Sequence, residues 1–246
     1  QLIDTIHWEA QHRACEREPH GKNRWLCKHL AEECGVGICL FRRNHQSHDR
    51  CPRCNAAKEG VTHVLTCPSN SAVIKWNEAT QHLDDWMTTQ FTSHQLSDTI
   101  LMRLNEWRFG TARSKINAPR RLKTIIASQD AIGWENFLCG RVTEDMAEYQ
   151  QIHFTHIKRK NTGNAWLSKL INQLWLVMFK MWDHRNKVNN TTVTKTQIEQ
   201  LKQLRFTVRR EFSMGAKGLG PLDHHLLEDR QEVMTFDLQR TLEWLE

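Results

Sequence analysis

The chain has 246 residues, 39% of them hydrophobic, and a net charge of +6. That length fits one or two domains with a real core, and 10 Trp and 9 Phe supply large surfaces to bury in it. The composition excludes a disordered chain, and no apolar run approaches the ~18 residues a membrane-crossing helix needs: the most apolar stretch, Leu174 to Met181, already carries Lys180.

The start, QLIDTIHWEAQHR, has acids and no apolar centre, so no signal peptide is read there. The expected compartment is intracellular, cytoplasmic or nuclear, and not secreted. Gln1 in place of a start Met predicts a piece of a longer chain. In chain order, Leu2 to Arg17 reads as a helix with Ile3, Ile6 and Ala10 on one side, broken by Pro19 and Gly21. Asn23 is the expected cap of a second helix carrying Trp25, Leu26 and Leu30 and ending at Gly35. Gly35 to Asp49 reads as a loop.

The cysteine cluster CPRCNAAKEGVTHVLTC follows, from Cys51 to Cys67. Cys51-x-x-Cys54 matches a knuckle in which two thiolates point at one ion, with Pro52 helping to set the turn. His63 and Cys67, four apart, fall on one face of a helical turn, and Pro68 disfavours helical geometry at Cys67. Gly60 is expected to supply the change of direction between the halves. Three thiolates and an imidazole fill a tetrahedral zinc shell, so Cys51, Cys54, His63 and Cys67 are the candidate ligands of one structural Zn2+. A catalytic ion would need an open position for water. Cys27, His29, Cys34 and Cys39 lack a paired CxxC and fall on or beside helical positions; the cysteines read as free buried thiols, with a second metal site completed by His45 or His48 as the alternative.

Beyond the cluster, Ser69-Asn70-Ser71 offers a cap for a strong amphipathic helix with Ala72, Trp76, Ala79, Leu83 and Trp86 in one stripe. Ser97 is the expected cap of the next helix (Ile100, Leu101, Leu104, Trp107), and Pro119 suits the first turn of another (Leu122, Ile125, Ile126, Ile132). Thr143-Glu144 opens a further helix with Met146, Tyr149, Gln150 and His153. The longest is expected over Asn164 to Lys187, with Arg185 and Asn186 pinning its end, and a separate one starts at Thr194 or Thr196 and runs through Phe212. Trp at helical spacing predicts core for Trp76, Trp86, Trp166, Trp175 and Trp182. Gly215 to Pro221 reads as a linker before two short acidic helices. The fold class is mainly α: a helical bundle-like domain with a small zinc-knuckle insert in the N-terminal third. Its expected divisions are 1–68 (knuckle 51–67), 69–214, linker 215–221 and acidic helices 222–246.

Charge is uneven. Arg103 to Lys123 holds seven Lys/Arg against Glu106 alone, Lys158 to Lys187 seven against Asp183 alone, and Leu219 to Glu246 seven acids against two arginines. A basic middle fits nucleic-acid phosphates or pairing with the chain's own acidic end. The candidate phosphate contacts, for RNA or DNA, are Arg50, Arg53 and Lys58 on the knuckle and Arg120, Arg121, Lys123, Lys158, Arg159 and Lys160 beyond it. The acid pairs Glu32-Glu33, Asp84-Asp85, Glu144-Asp145 and Glu228-Asp229 read as solvated helix faces. His184, and His224-His225 beside Asp223, are weaker candidates for chemistry. No nucleophile elbow, P-loop or dinucleotide fingerprint occurs, so the chain is expected not to be an enzyme.

CPRCNAAKEGVTHVLTCP resembles the zinc-binding region that follows the polymerase in non-LTR retrotransposon reverse transcriptases, with Cys51, Cys54, Glu59, His63, Cys67 and Pro68 at the pattern's positions. LINQLWLVMFKMWDHRNKV (Leu170 to Val188) resembles the Leu-Trp…Trp-x-x-Arg-Asn segment downstream in the same proteins. GWENFLCGR (Gly133 to Arg141) and RKNTGNAWLSKLI (Arg159 to Ile171) look like a diatom-like lineage-restricted branch. The resemblance implies a C-terminal accessory region, or a relic of one, with the reverse transcriptase domain upstream as a possible partner. No polymerase Asp-Asp quartet or ribonuclease H motif is seen in the chain. The reading set against it is a structural or protein-interaction helical domain that binds no nucleic acid.

Overall fold

The computed structural model describes residues 2–215, 217, 227, 230–236 and 238–245, with the side chains of 2, 3, 192–195 and 239 left aside. A 3-10 turn (Leu2–Thr5) precedes α1 (Trp8–Arg17), α2 (His20–Leu30), α3 (Gly37–Arg42), α4 (Val61–Thr66), α5 (Asn70–Thr89) and α6 (His94–Phe109). Then come α7 (Arg120–Ile132), α8 (Trp134–Leu138), α9 (Asp145–His156), α10 (Gly163–Met214), α11 (Arg230–Val233) and α12 (Leu238–Leu245). Among the described residues there is no strand, only an isolated bridge between Ile6 and Thr143. The mainly α class with an N-terminal-third Cys/His insert is therefore the observed one. No helix among the described residues is long and apolar enough to cross a membrane.

The chain divides into two compact units, Gln1–Asn186 and Lys187–Glu246. In the first, α10 carries the central apolar stripe: Trp166, Leu170, Leu174, Val177, Met178 and Met181 are all buried. Asn172 Nδ2 donates to the Ala14 carbonyl at 2.9 Å, and Trp25 meets Phe179 edge-on at 5.2 Å, so α1 and α2 lie along this stripe. Two buried amides replace missing ladder partners where helices meet. Gln129 accepts from Thr143 N at 3.0 Å and donates to Arg141 O; Gln150 accepts from Ser93 N at 3.0 Å and donates to Phe91 O. Unpaired buried backbone groups are costly, which gives both glutamines a structural reason to be buried.

α5 begins as its sequence predicts, with Ser69 Oγ accepting from Ala72 N at 3.3 Å. Ala72, Trp76, Ala79 and Leu83 are buried, whereas Met87 rather than Trp86 completes the buried stripe. Trp76 Nε1 donates to Asn105 at 2.8 Å and ties α5 to α6.

Several expected boundaries move. The first helix starts at Trp8, because Ile6 pairs with Thr143 instead of continuing a turn. Pro19, not Asn23, stands before α2; Asn23 lies inside it and donates to Cys15 O and Glu18 O. The stretch expected to be all loop contains α3. Ser93 occupies the cap position of α6, and Ser97 Oγ bonds back to His94 O one turn earlier. α8 is a further short helix between the two expected to end at Ile132 and to open at Thr143-Glu144. The expected break after Lys187 is absent: α10 continues to Met214.

In the second unit, Val208 and Val233 are buried, Phe212 stacks on Trp244 at 5.3 Å, and Arg240 sits 3.9 Å over Phe236. α11 and α12 fall within the expected acidic segment. The expected linker, apart from Gly215 and Lys217, lies outside the described residues, as do Asp223, His224, His225, Glu228 and Asp229.

Candidate functional site

The cluster folds as a clasp. A turn over Pro52–Cys54 is closed by Asn55 N→Cys51 O at 2.8 Å and Cys51 N→Ala56 O at 2.9 Å. The reversal that follows is made by Asn55 (φ 60°) and Lys58 (φ 57°), not by Gly60. Gly60 is extended (φ −96°, ψ 178°) and has open space where a Cβ would stand, so nothing there requires glycine. Asn tolerates the left-handed region well and Lys less so. α4 then places His63 and Cys67 four residues apart, and Cys67 leaves the helix at ψ 127°, as the following proline requires.

The donor atoms of Cys51, Cys54, His63 and Cys67 all lie within 4.8 Å of one another. Cys51 Sγ is 3.9 Å from Cys67 Sγ, and Cys54 Sγ is 3.2 Å from His63 Nε2. Cys51 and Cys67 are buried, Cys54 and His63 half-buried. Metal–thiolate bonds of about 2.3 Å set tetrahedral edges near ~3.8 Å, so these separations suit a single four-coordinate ion. The group can hold one metal ion, with all four positions filled by protein. The hydrogen bond between the two sulfurs, then burial, raises the Cys51 pKa, and the same bond, assisted by Ser69, lowers that of Cys67.

Among the described residues no other group of three His, Cys, Asp or Glu side chains comes together this way. Cys34 and Cys39 are buried thiols directed at carbonyls, Trp25 O at 3.9 Å and Glu32 O at 3.1 Å. Cys27 is exposed. His29 is buried beside Trp25, with ring centroids 5.2 Å apart, and burial lowers its pKa to about 4.

Glu59, in the middle of the clasp, is completely buried. Its carboxylate accepts from Arg185 Nε at 3.0 Å and Nη2 at 2.5 Å, and from the Gly37 amide at 2.8 Å. Its own backbone pairs with Asp49 O and Ile38 N at 2.8 and 3.1 Å. A Cβ on Gly37 would stand 2.3 Å from Asp49 O, so only glycine permits this approach. Arg185 therefore does not pin a helix end. It sits within α10, with 2% of its side chain exposed, and anchors the clasp to that helix. Nothing in local spacing marks this pair, which is 126 residues apart in sequence.

The nine candidate phosphate-binding residues lie on three elements: the clasp, α7 and the turn after α9. Arg50 and Lys58 are exposed on the clasp. Arg53 is half-buried and turns inward, donating Nη2 to Val64 O at 2.6 Å. Arg120, Arg121 and Lys123 are exposed on α7, where Arg121 pairs with Glu148 at 3.1 Å. Lys158, Arg159 and Lys160 are exposed on the turn after α9, and Arg159 lies 3.6 Å over the Phe91 ring. Lys160 and Lys169 line one shallow groove together with Gln90, Asn161, Thr162 and Trp166.

Much of the Arg103–Lys123 basic run is engaged internally. Arg103 bonds Glu106 at 2.6 Å, Arg113 reaches Asp130 at 3.4 Å, and Arg108 is buried. Basic residues in a run without acids in sequence thus find them in space. Glu106 also accepts from Ser114 N at 2.8 Å, and its pKa is lowered: the Arg103 and Ser114 hydrogen bonds outweigh burial, the largest single influence, which acts upward. His184 is half-buried with its Nδ1 unpartnered, and its pKa is lowered first by burial and then by Arg53 and Lys75. The site is thus a four-donor clasp, bolted by a buried ion pair, with exposed cations on separate elements. Compared with known proteins, the chain finds no counterpart: no family model, curated protein or solved structure matches it.

Proposed function

We propose that the clasp holds one structural zinc ion, and that the chain is a non-enzymatic nucleic-acid-binding accessory region of a retrotransposon reverse transcriptase. Three sulfurs and an imidazole nitrogen are the donor set zinc favours, and four protein ligands leave no position for a reacting water. Cys51, Cys54, His63 and Cys67 would hold the ion, whose contribution is to fold the loop between them.

The observation that carries nucleic-acid binding is the exposed trio Lys158, Arg159 and Lys160. Among the described residues none of them makes an ion pair, and the groove beside them adds Lys169. Unpaired cations at a groove bind phosphates by releasing counterions. The accessory-region reading also draws support from the Glu59–Arg185 bond, because the two segments that carry the family resemblance meet there. An RNA or DNA oligonucleotide titrated onto the purified chain in a filter assay tests the proposal. Binding that weakens steeply with added salt is expected, and absent or salt-independent binding removes it.

A second reading, a helical protein-interaction domain, is favoured by the internal pairing of Arg103, Arg113 and Arg121. It predicts no retention of either nucleic acid at low salt.

A further inference from the structure

Arg108, near the end of α6, is an unusual buried charge. Its side chain is almost wholly enclosed, with the residue 4% exposed, yet among the described residues no carboxylate lies within ion-pair distance of it. Nη2 donates to Cys67 O at 3.2 Å, while Nε and Nη1 are buried with no acceptor. The guanidinium is flanked by the Trp76 and Phe109 rings, 4.9 and 5.3 Å from their centroids. Arg53 repeats the pattern: Nη2 bonds Val64 O, and Nε and Nη1 are buried without acceptors.

Cation–π contact offsets only part of what isolating a charge from water costs. Arg53 makes matters worse, since burial and then its like charge lower the Arg108 pKa to about 10, leaving it protonated at neutral pH. The guanidinium faces the clasp through its bond to the Cys67 carbonyl. A clasp loaded with a divalent ion carries three thiolates and a neutral imidazole, which leaves one net negative charge beside these arginines. Two cations without carboxylates on one side and an anionic centre on the other are complementary.

We propose that Arg108, assisted by Arg53, is the buried counter-charge of the metal-loaded clasp, a positioning residue that couples loading to the docking of α4 on α6. The inference rests on the metal reading above. Its partner is the divalent metal–thiolate centre, whose net negative charge the two buried guanidinium groups balance.

The test compares zinc affinity of the full chain by competition with a chromophoric chelator, alongside Co2+ spectra, for native protein, Arg108→Met and Arg108→Lys. Arg108→Met should lose about tenfold to hundredfold in affinity, the range typical of residues supporting metal ligands. Its Co2+ thiolate charge-transfer band should keep its intensity, since no ligand has been removed. Arg108→Lys, which keeps the charge, should stay within about threefold of native. Affinity of Arg108→Met within twofold of native overturns the proposal, as does an Arg108→Lys that falls as far as Arg108→Met. Should Arg108→Met fail to fold, Arg53→Met at its half-buried position decides by the same criterion. A native chain that binds no zinc, or a Cys51→Ser variant that binds as tightly as native, fails the metal reading itself, a distinct result.

Discussion

Arg185 closes a two-pronged ion pair on Glu59, Nε to Oε1 at 3.0 Å and Nη2 to Oε2 at 2.5 Å, with both side chains shut away from solvent. The pair joins the middle of the clasp to the central helix. The Gly37 amide completes the carboxylate's shell, so three segments (α3, the clasp and α10) converge on one acid. The clasp's ligands shape a loop, and Glu59 determines where that loop is held.

Removing one partner of such a pair leaves a charge buried alone. Arg185→Met and Glu59→Ala should each cost about 3–5 kcal/mol of unfolding free energy. The double variant Glu59→Leu/Arg185→Met should recover a large part of that, because no orphaned charge remains. Urea denaturation of the metal-loaded chain measures all three. Single variants within about 1 kcal/mol of native would show that the bond is not what holds the clasp.

The clasp, the α5 cap and the main buried stripe were legible because each is a local pattern. CxxC and HxxxC spacing, Ser before an amphipathic run, and steps of three and four all report on atoms within one or two turns. Arg185 was misread for the opposite reason: its partner is remote, and an arginine near an expected helix end has a ready local explanation. Asn189, Asn190 and the threonines after them have lower helix propensity, yet α10 runs through them to Met214. α3 lies in the Gly35 to Asp49 stretch that reads as a loop, with Gly37 at its start. Gly37 is in fact needed for the close approach to Asp49 O at the helix start. Ser97 lies inside α6 with its hydroxyl on His94 O, and Ser93 stands at the cap position instead. In Arg53 the residue type was right for phosphate and the direction was not, because a side chain's orientation follows from its tertiary neighbours.

His29 gives a pH dependence whose sign is fixed by burial. In the folded chain its pKa is lowered to about 4 by desolvation, while the unfolded chain titrates near the ordinary 6.5. Between those values the unfolded state binds the extra proton, so stability is full above pH ~6.5 and falls as the pH drops toward ~4. The loss approaches the order of 3 kcal/mol. His29→Leu removes the titrating group and should flatten this limb, as read by urea midpoints between pH 7 and pH 4. An unchanged slope in the variant would assign the acid sensitivity to other groups.

Withdrawing the ion should unfold more than the clasp, because Glu59 passes its position on to α3 and α10. Native chain is expected to carry about one zinc, and Cys51→Ser to carry none. Loss of several kcal/mol in a chain of this size lowers Tm by on the order of 10 °C, and a chelator should reproduce the shift in native protein but not in Cys51→Ser. Binding requires deprotonated thiols, so zinc affinity should fall as pH is lowered. Zinc content unchanged in Cys51→Ser would contradict the ligand set.

The basic residues divide by where their charges point, and the salt dependence of nucleic-acid binding separates them. Lys158, Arg159 and Lys160 are exposed and free of acid partners among the described residues. Each phosphate contact contributes about 0.7 to 0.9 to the slope of log K against log salt. Replacing all three by Ala should therefore lower that slope by about two and weaken RNA and DNA alike, since contacts to phosphate carry no sequence information. Arg121→Ala should have a smaller effect, because Glu148 already competes for its charge. Arg53→Ala should leave the slope unchanged and lower stability instead, its guanidinium being held against Val64 O. A slope that falls for Arg53→Ala and not for the exposed trio would place the nucleic-acid surface on the clasp, in the arrangement read from sequence, and would overturn the assignment to the turn after α9.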